Sequence, residues 1–277
     1  MNTKQLDSPP VVEPAVTQDR GVHLVLGALT DRGQVKAFNQ DSLFCLNGTF
    51  SQGEELLPLA LLVVADGMGE DEPGTKASAL AVRVVADQVL HRFYRPLLLD
   101  LEQSFARPAI HQVLREGVHE AHARILQSYP GGKTTLTCAL VLGSNAFVAH
   151  VGDSRAYLIR RNTLSQVTTD HSLVWRLIEV GQITAQEAKV HPQRNVLYRA
   201  LGREGELQVD TYLQSVLPGS SLLLCSDGLW GCVSEETMLS IVCAAPSPQI
   251  ACRQLVARAN QNGGDDNITA VLVQIER

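Results

Sequence analysis

The chain contains 277 residues, a length that allows one large domain with a sizeable hydrophobic core. Hydrophobic residues make up 45%, charged residues make up 19%, and the formal net charge is −6. This composition is typical of a globular protein, and the lack of a basic surplus argues against nucleic acid or an anionic membrane as a partner. Residues 1–20 are polar and proline-bearing and lack the apolar core of a signal peptide, so we expect a loose N-terminal tail there.

The apolar and turn-forming residues predict a series of short elements. In chain order we predict strands over residues 22–29, 43–46 and 59–65, helices over about 75–93 and 109–128, strands over 136–142, 147–151, 156–159 and 164–167, a helical or irregular segment over 171–199, a strand over 221–225, a helix that Ser247 caps and Gly263 ends, and a strand over 268–275. The close spacing of the strands favours antiparallel pairing. The predicted fold class is therefore α+β, with antiparallel sheets covered by helices.

The cysteines and the longest apolar run both favour a cytoplasmic protein. The six cysteines form no C-x-x-C pair, and most lie in apolar segments, which is typical of reduced cysteines in a cytosolic core. The run over residues 56–65 is far too short to cross a bilayer. We therefore expect a cytoplasmic localisation without a membrane partner.

Four aspartates lie beside predicted strands. Asp66 and Asp227 follow apolar runs, Asp266 precedes the last run, and Asp153 lies in a Gly-Asp-Ser turn. A carboxylate in such a place is unfavourable unless its charge is compensated, and although a single one would be read as a turn former, four favour a shared cation site. Carboxylate, carbonyl and water ligands suit Mg²⁺ or Mn²⁺, and paired hard cations are typical of phosphoryl chemistry. The spacing alone does not identify the substrate.

A series of motifs extends from about residue 26 to residue 274. They are TDRGQVKAFNQDS at 30–42, ADGMG at 65–69, TTL at 134–136, VGDSRAY at 151–157, DHS at 170–172, GQIT at 181–184, HPQRNVL at 191–197, CSDGLW at 225–230 and DNIT at 266–269. In this order, the motifs resemble those of the metal-dependent protein phosphatases of the PPM (type 2C) family in their short bacterial form.

The resemblance implies a four-layer α-β-β-α sandwich, in which two packed antiparallel sheets are flanked by helices. It implies one catalytic domain over residues 21–277, with a variable flap at about 171–199 beside the site. The expected activity is removal of phosphate from phosphoserine and phosphothreonine in proteins, with phosphorylated substrates of Ser/Thr kinases as partners. In this family a metal-bound water attacks phosphorus directly, and no phospho-enzyme forms.

The resemblance also implies a set of metal ligands for two Mn²⁺ or Mg²⁺ ions. By motif match, Asp66 bridges both ions, Gly67 offers its carbonyl to one of them, and Asp227 and Asp266 complete the other. A third, more loosely held ion would use Asp153 together with Asp227. The catalytic residues are therefore expected to be Asp66, Asp227 and Asp266, acting through the activated water.

Several positions differ from the family's pattern. Lys36 stands where an arginine usually grips the phosphate, and a lysine keeps the charge but lacks the bidentate fork, so we expect weaker phosphate binding there. The alternative for Lys36 is a plain surface charge. Gln40 stands where many members carry glutamate, and a neutral amide should loosen the nearby metal. Gln40, Asp41 and Asn267 are expected to lie just outside the metal ligands.

The motif around residue 69 also departs from the family. Glu70 and Asp71 replace the usual glycine and histidine and form an acidic cluster with Glu72, which we interpret as a solvated loop rather than a cation trap. The altered positions leave a second hypothesis open, a weakened relative that binds phosphoproteins as a regulator. The retained aspartates favour the active phosphatase. A phosphatase for small phosphate esters would share the same chemistry.

Overall fold

The computed structural model describes residues 22–52, 55–69, 72–99 and 109–277. The predicted tail over residues 1–20 and the positions of Glu70 and Asp71 lie outside the described residues. Among the helices in these ranges, none combines the length and the apolar composition that a bilayer crossing requires.

The strands follow one another in antiparallel pairs. They are β1 (His23–Asp31), β2 (Asp41–Gln52), β3 (Glu55–Met68), β4 (Lys133–Thr134), β5 (Leu136–Leu142), β6 (Asn145–Val151), β7 (Arg155–Arg160), β8 (Thr163–Gln166), β9 (Asp210–Ser215), β10 (Ser221–Cys225) and β11 (Ile268–Glu276). One sheet has the order β1-β11-β10-β7-β8. The other has the order β2-β3-β5-β6-β9, and β4 pairs with the end of β3.

The helices are grouped by position in the chain. They are α1 (Glu72–Val89), α2 (Arg95–Leu99), α3 (Ile110–Ser128), α4 (Leu173–Glu179), α5 (Ala185–Lys189), α6 (Asp227–Trp230), α7 (Glu235–Ala244) and α8 (Pro248–Gln261). A π-helical turn over Leu90–Tyr94 joins α1 to α2. Ser247 caps α8 through a hydrogen bond from Ile250 N to its hydroxyl, and Pro248 lies in the first turn, as the sequence predicts.

Three buried layers hold these elements together. Helices α1 and α3 pack on the outer face of the β2-containing sheet, the two sheets pack face to face in the middle, and helices α7 and α8 pack on the outer face of the β1-containing sheet. Strands β5, β6 and β10 are buried along their whole length because they lie inside the sheets and are covered on both faces. The predicted α+β fold with four layers is confirmed.

The structure departs from the sequence-based elements in several places. Strand β2 is much longer than the predicted 43–46, because its polar second half pairs with β3 as far as Gln52. The sequence does not predict β4, β9, α2, α6 or α7, and the helix predicted over 75–93 ends at Val89, where the π-helical turn follows. Strand β9 is only partly buried at the sheet edge, so it lacks the apolar run that marks the inner strands.

Gly27 sets the distance between β1 and α8. A Cβ built there would overlap the backbone of Pro248 and Gln249 at the start of the helix. The Gln249 side chain donates to Ala28 O (2.9 Å) and accepts from Ala28 N (3.1 Å), so it occupies backbone groups on the free edge of β1. The helix thereby covers an edge that could otherwise pair with another chain.

Replacement of Gly27 by alanine should destabilise the protein because backbone cannot move aside as a flexible side chain can. We expect Gly27→Ala to lower the free energy of unfolding by at least about 1–3 kcal/mol in urea titrations. Gly48→Ala in β2 is the matched control, since its Cβ would meet only Leu59 Cδ1 at 3.7 Å. Equal stability of the two variants would contradict this account of the β1–α8 packing.

Candidate active site

Strand ends from both sheets bring five aspartates to one end of the sandwich. Asp41 begins β2 and lies directly opposite Asp66 in the adjacent β3. Asp153 occupies the turn between β6 and β7, Asp227 begins α6 just after β10, and Asp266 precedes β11. The structure therefore gathers all four aspartates that the sequence predicts as ligands, together with Asp41.

Burial and then mutual repulsion raise the pKa values of Asp66, Asp153 and Asp227. Burial, followed by the negative charges of Asp41 and Asp227, holds the pKa of Asp66 well above its usual value. Burial, followed by the charge of Asp266, raises the pKa of Asp227 to about 6. Burial and then the charge of Asp227 raise the pKa of Asp153 as well. Such a cluster favours either bound protons or bound cations.

Asp41 joins the two sheets at the base of the site. Its Oδ2 accepts hydrogen bonds from Thr269 Oγ1 (2.6 Å) and Ser226 Oγ (2.7 Å), which belong to the other sheet and its loop. Burial raises the pKa of Asp41 to about 7, and these two hydrogen bonds act in the opposite direction. Asp41 thus lies beside the predicted ligands, where its hydrogen bonds fix the separation of the two sheets.

Paired threonines hold the backbone of Asp66. Thr134 Oγ1 donates to Asp66 O (2.8 Å), while Asp66 N donates to Thr135 Oγ1 (2.9 Å). The next residue, Gly67, donates its N–H to Gln40 O (3.1 Å) and has no room for a side chain, because a Cβ would overlap Gly74 O. The end of β3 is therefore fixed on both sides of its carboxylate.

Asn267 clamps the loop that carries Lys36. Its Nδ2 donates to Arg32 O (2.8 Å) and Phe38 O (2.9 Å), and its Oδ1 accepts from Gln40 N (2.8 Å). Asn267 is itself buried. Asn267 therefore ties residues 32–40 to the start of β11, beside the site.

Lys36 lies at the rim of the acidic cluster and pairs with Asp266. The distance from Nζ to Asp266 Oδ1 is 2.8 Å, and 42% of the lysine side chain is exposed. Partial burial lowers the pKa of Lys36, but the hydrogen bond to Asp266 and the surrounding negative charge outweigh it and raise the pKa overall. Lys36 is therefore a cation of the cluster rather than an isolated surface charge.

The turn that carries Asp153 is held by an indole and an imidazole. Trp230 Nε1 donates to Asp153 O (3.0 Å), and Arg155 stacks on the Trp230 ring at 3.7 Å. Gly152 N donates to His171 Nδ1 (3.1 Å), at the beginning of the predicted flap. His171 is buried, and its burial lowers the pKa of the imidazole.

Gln40 points to the loop after Asp66. Its Nε2 donates to Gly69 O (3.2 Å), so the amide that replaces the family's usual glutamate supports this loop. A Cβ on Gly74 would lie 2.7 Å from that same Nε2, which shows how closely the start of α1 packs here. These contacts with Gly69 and Gly74 place Gln40 next to the predicted ligand Asp66.

The donor atoms suit hard divalent cations. The buried oxygens Asp41 Oδ1 and Asp227 Oδ1 have no hydrogen-bond partner within the part of the chain that the structure describes. Across those same residues, no three His, Cys, Asp or Glu side chains are placed closely enough together to hold a metal ion. Mg²⁺ and Mn²⁺ retain several waters and prefer oxygen ligands, so the carboxylates together with a backbone carbonyl fit these ions.

Comparisons with known proteins identify the family of this chain. The family model described as Protein phosphatase 2C matches residues 30–272. The chain belongs to this family. It is 38% identical to the serine/threonine phosphatase stp of Listeria welshimeri over 247 residues, which cover 88% of this chain and 93% of the relative.

Solved structures of the family share the fold. The Mycobacterium tuberculosis serine/threonine phosphatase PstP/Ppp superimposes with a TM-score of 0.74 at 32% identity, over 92% of this chain and 99% of the other. The catalytic domain of PstP in complex with two manganese ions superimposes with a TM-score of 0.73 at 30% identity, over 92% of this chain and all of the other. The predicted family is confirmed.

Sequence reasoning missed the side chains that support the acidic cluster. Ser226, Thr269 and Trp230 belong to the motifs, but the contacts of Ser226 and Thr269 with Asp41 span 185 and 228 residues of chain. The only signal in the sequence is that each lies within three residues of Asp227 or Asp266.

Removal of one charge should relieve the acidic cluster in the metal-free protein. The pKa of Asp227 is raised from its usual 3.8 to about 6, so the folded wild type loses stability as the pH rises from 3.8 through 6. We expect Asp227→Asn, measured in EDTA, to raise the free energy of unfolding by about 2–3 kcal/mol at pH 7.5 and much less near pH 4.

The control for this measurement is Asp87→Asn on the exposed face of α1, where 58% of the side chain is accessible. It should change stability little at either pH. A stability gain for Asp227→Asn that does not depend on pH, or a loss at pH 7.5, would show that the buried negative charge of Asp227 does not destabilise the metal-free protein.

Proposed function

We propose that this protein is a metal-dependent phosphatase that removes phosphate from phosphoserine and phosphothreonine in proteins. The observation that carries the proposal is the gathering of Asp66, Asp153, Asp227 and Asp266 at one end of a protein phosphatase 2C sandwich, with Lys36 at the rim. Its substrates would be products of Ser/Thr kinases, and the protein would act in signalling.

The aspartates would hold the cations. Asp66 would bridge two Mn²⁺ or Mg²⁺ ions, Gly67 would offer its carbonyl to one, and Asp227 and Asp266 would bind the other. Asp153 would hold a third ion together with Asp227. When bound, the cations would lower the pKa of a water and neutralise charge on the phosphoryl oxygens. The presence of two manganese ions in the PstP catalytic domain supports the two-ion part of this proposal.

The remaining residues would position the substrate and the ligands. Lys36 would attract the phosphate from the rim, since its Nζ is the nearest cation described for Asp266 and its charge reaches Asp227 and Asp66. Asn267 would keep the Lys36 loop in place, and Asp41 would keep the two sheets in register. The segment over residues 171–199, which includes α4 and α5, would be the flap that contributes to substrate selection.

One observation favours a second candidate, a phosphoprotein-binding regulator with little turnover. Lys36 is already paired with Asp266 at 2.8 Å, and lysine lacks the fork with which arginine binds two phosphate oxygens. The intact set of aspartates nevertheless favours catalysis. We therefore place residues 21–277 in a single catalytic domain with slow but metal-dependent turnover.

The proposed activity can be tested with para-nitrophenyl phosphate and a phosphothreonine peptide in the presence of Mn²⁺, Mg²⁺ or EDTA. We expect hydrolysis with the metals and none with EDTA. Asp227→Ala should lower kcat/KM by about a hundredfold or more, because it removes an anionic ligand. Faster hydrolysis of the peptide would distinguish a protein phosphatase from an enzyme for small phosphate esters.

Folded protein without turnover in any metal would contradict the catalytic proposal and favour the regulator. Circular dichroism checks that the wild type and Asp227→Ala are both folded. Asp87→Ala is the matched control, since Asp87 lies on the exposed face of α1 and should leave turnover unchanged.

An arginine at position 36 should strengthen phosphate binding. Lys36→Arg restores the bidentate fork, and one further charge-assisted hydrogen bond should lower KM for the phosphothreonine peptide about fivefold. The matched control is Lys76→Arg, because Lys76 is also an exposed lysine in an ion pair, with Glu72 at 2.9 Å. Unchanged KM and kcat in Lys36→Arg would show that Lys36 does not contact the phosphate.

A further inference from the structure

Two apolar side chains stand in solvent beside Lys36. Val35 is 67% exposed and Phe38 is 65% exposed. The other phenylalanines in the described ranges all pack in the core between the β2-containing sheet and helices α1 and α3; they are Phe44, Phe50, Phe93 and Phe147. Single exposed apolar residues are common on protein surfaces, so exposure alone assigns no role. Val35 and Phe38 differ from other exposed apolar residues because they lie within two residues of Lys36.

The backbone that carries them is fixed at several points. Asn267 Nδ2 donates a hydrogen bond to Phe38 O at 2.9 Å, and Gln34 N donates to Gly264 O at 2.8 Å. A Cβ on Gly33 would overlap Asp266 O, so this end of the loop lies directly against the acidic cluster. A side chain on a rigid backbone loses less conformational freedom when a partner covers it, which makes Phe38 suitable as a binding anchor.

We propose that Phe38, assisted by Val35, selects phosphorylated protein segments that carry an apolar side chain within three residues of the phosphoserine or phosphothreonine. This inference rests on the proposed function, because it places the phosphate at Lys36. It assigns a specificity role to the loop between β1 and β2.

The spacing of Lys36 and Phe38 matches the length of an extended peptide over two or three residues. Phe38 lies two residues from Lys36, so their Cα atoms are at most about 7 Å apart. An extended peptide advances about 3.3–3.6 Å per residue, so its second and third residues from the phosphorylated one lie roughly 7–11 Å away. With the phosphate held at Lys36, side chains at these positions come within reach of the Phe38 ring.

Apolar surface lies close to the proposed phosphate position. Lys36 would hold the phosphate at the rim, and the exposed side chains of Val35 and Phe38 lie on the same loop. An apolar side chain near the phosphorylated residue gains contact with Phe38 and Val35 when it leaves water.

Two phosphothreonine peptides test the proposal. One carries leucine at the second and third positions on both sides of the phosphothreonine, and the other carries serine there. With Mn²⁺ we expect the ratio of kcat/KM, leucine peptide over serine peptide, to be about ten for the wild type, as one well-covered apolar contact would give. Phe38→Ser should reduce the ratio to near one, and Phe38→Leu should retain most of it.

Leu217→Ser is the matched control, because Leu217 is a 41% exposed apolar residue that precedes β10, at the end of that strand away from Asp227. It should leave the ratio as in the wild type. A ratio near one in the wild type, or a ratio that survives Phe38→Ser, would overturn the specificity role while leaving the phosphatase standing. Absence of metal-dependent hydrolysis of para-nitrophenyl phosphate and both peptides would overturn the proposed function as well.

Discussion

Negative charges repel one another at one end of this sandwich, and the surrounding structure is arranged around that repulsion. Asp41 and Asp66 face each other across adjacent strands, a placement that is unfavourable for like charges in any antiparallel pair. Asp153, Asp227 and Asp266 add to it from other strand ends. A fold that keeps such a cluster gives up stability in the absence of cations, which is the expected pattern for a site that binds them.

Hydrogen bonds between the two sheets allow the cluster to persist. Asp41 belongs to one sheet, and its partners Ser226 and Thr269 belong to the other sheet and its loop, so the charge that repels Asp66 also attaches the layers to each other. Breaking such a buried network leaves a charged group without partners, which costs more than an ordinary hydrogen bond contributes. The same contacts that stabilise the fold therefore determine where the carboxylates point.

Much of the fold could be predicted from the sequence because the inner strands contain continuous apolar runs. In β3 and β10, which lie inside the sheets, the apolar run leads directly to Asp66 or toward Asp227. The edge strand β9 could not be predicted, because it is half exposed and its residues Asp210–Ser215 lack that run. The sequence predicts that Asp41 lies beside the ligands, but it does not predict the hydrogen bonds by which Asp41 joins the two sheets, because its partners are 185 and 228 residues away.

Lys36 keeps the positive charge of the family's usual arginine but offers it in a different form. A lysine ammonium is a compact charge on a flexible stem, so it can turn from Asp266 toward a phosphate without a change in the backbone. The backbone itself cannot follow, because Asn267 fixes the loop on both sides of Lys36. If Lys36 binds phosphate as proposed, the phosphate competes with Asp266 for a single ammonium group. Any cation that neutralises Asp266 weakens that competitor, so metal binding and phosphate binding at this rim are expected to reinforce each other.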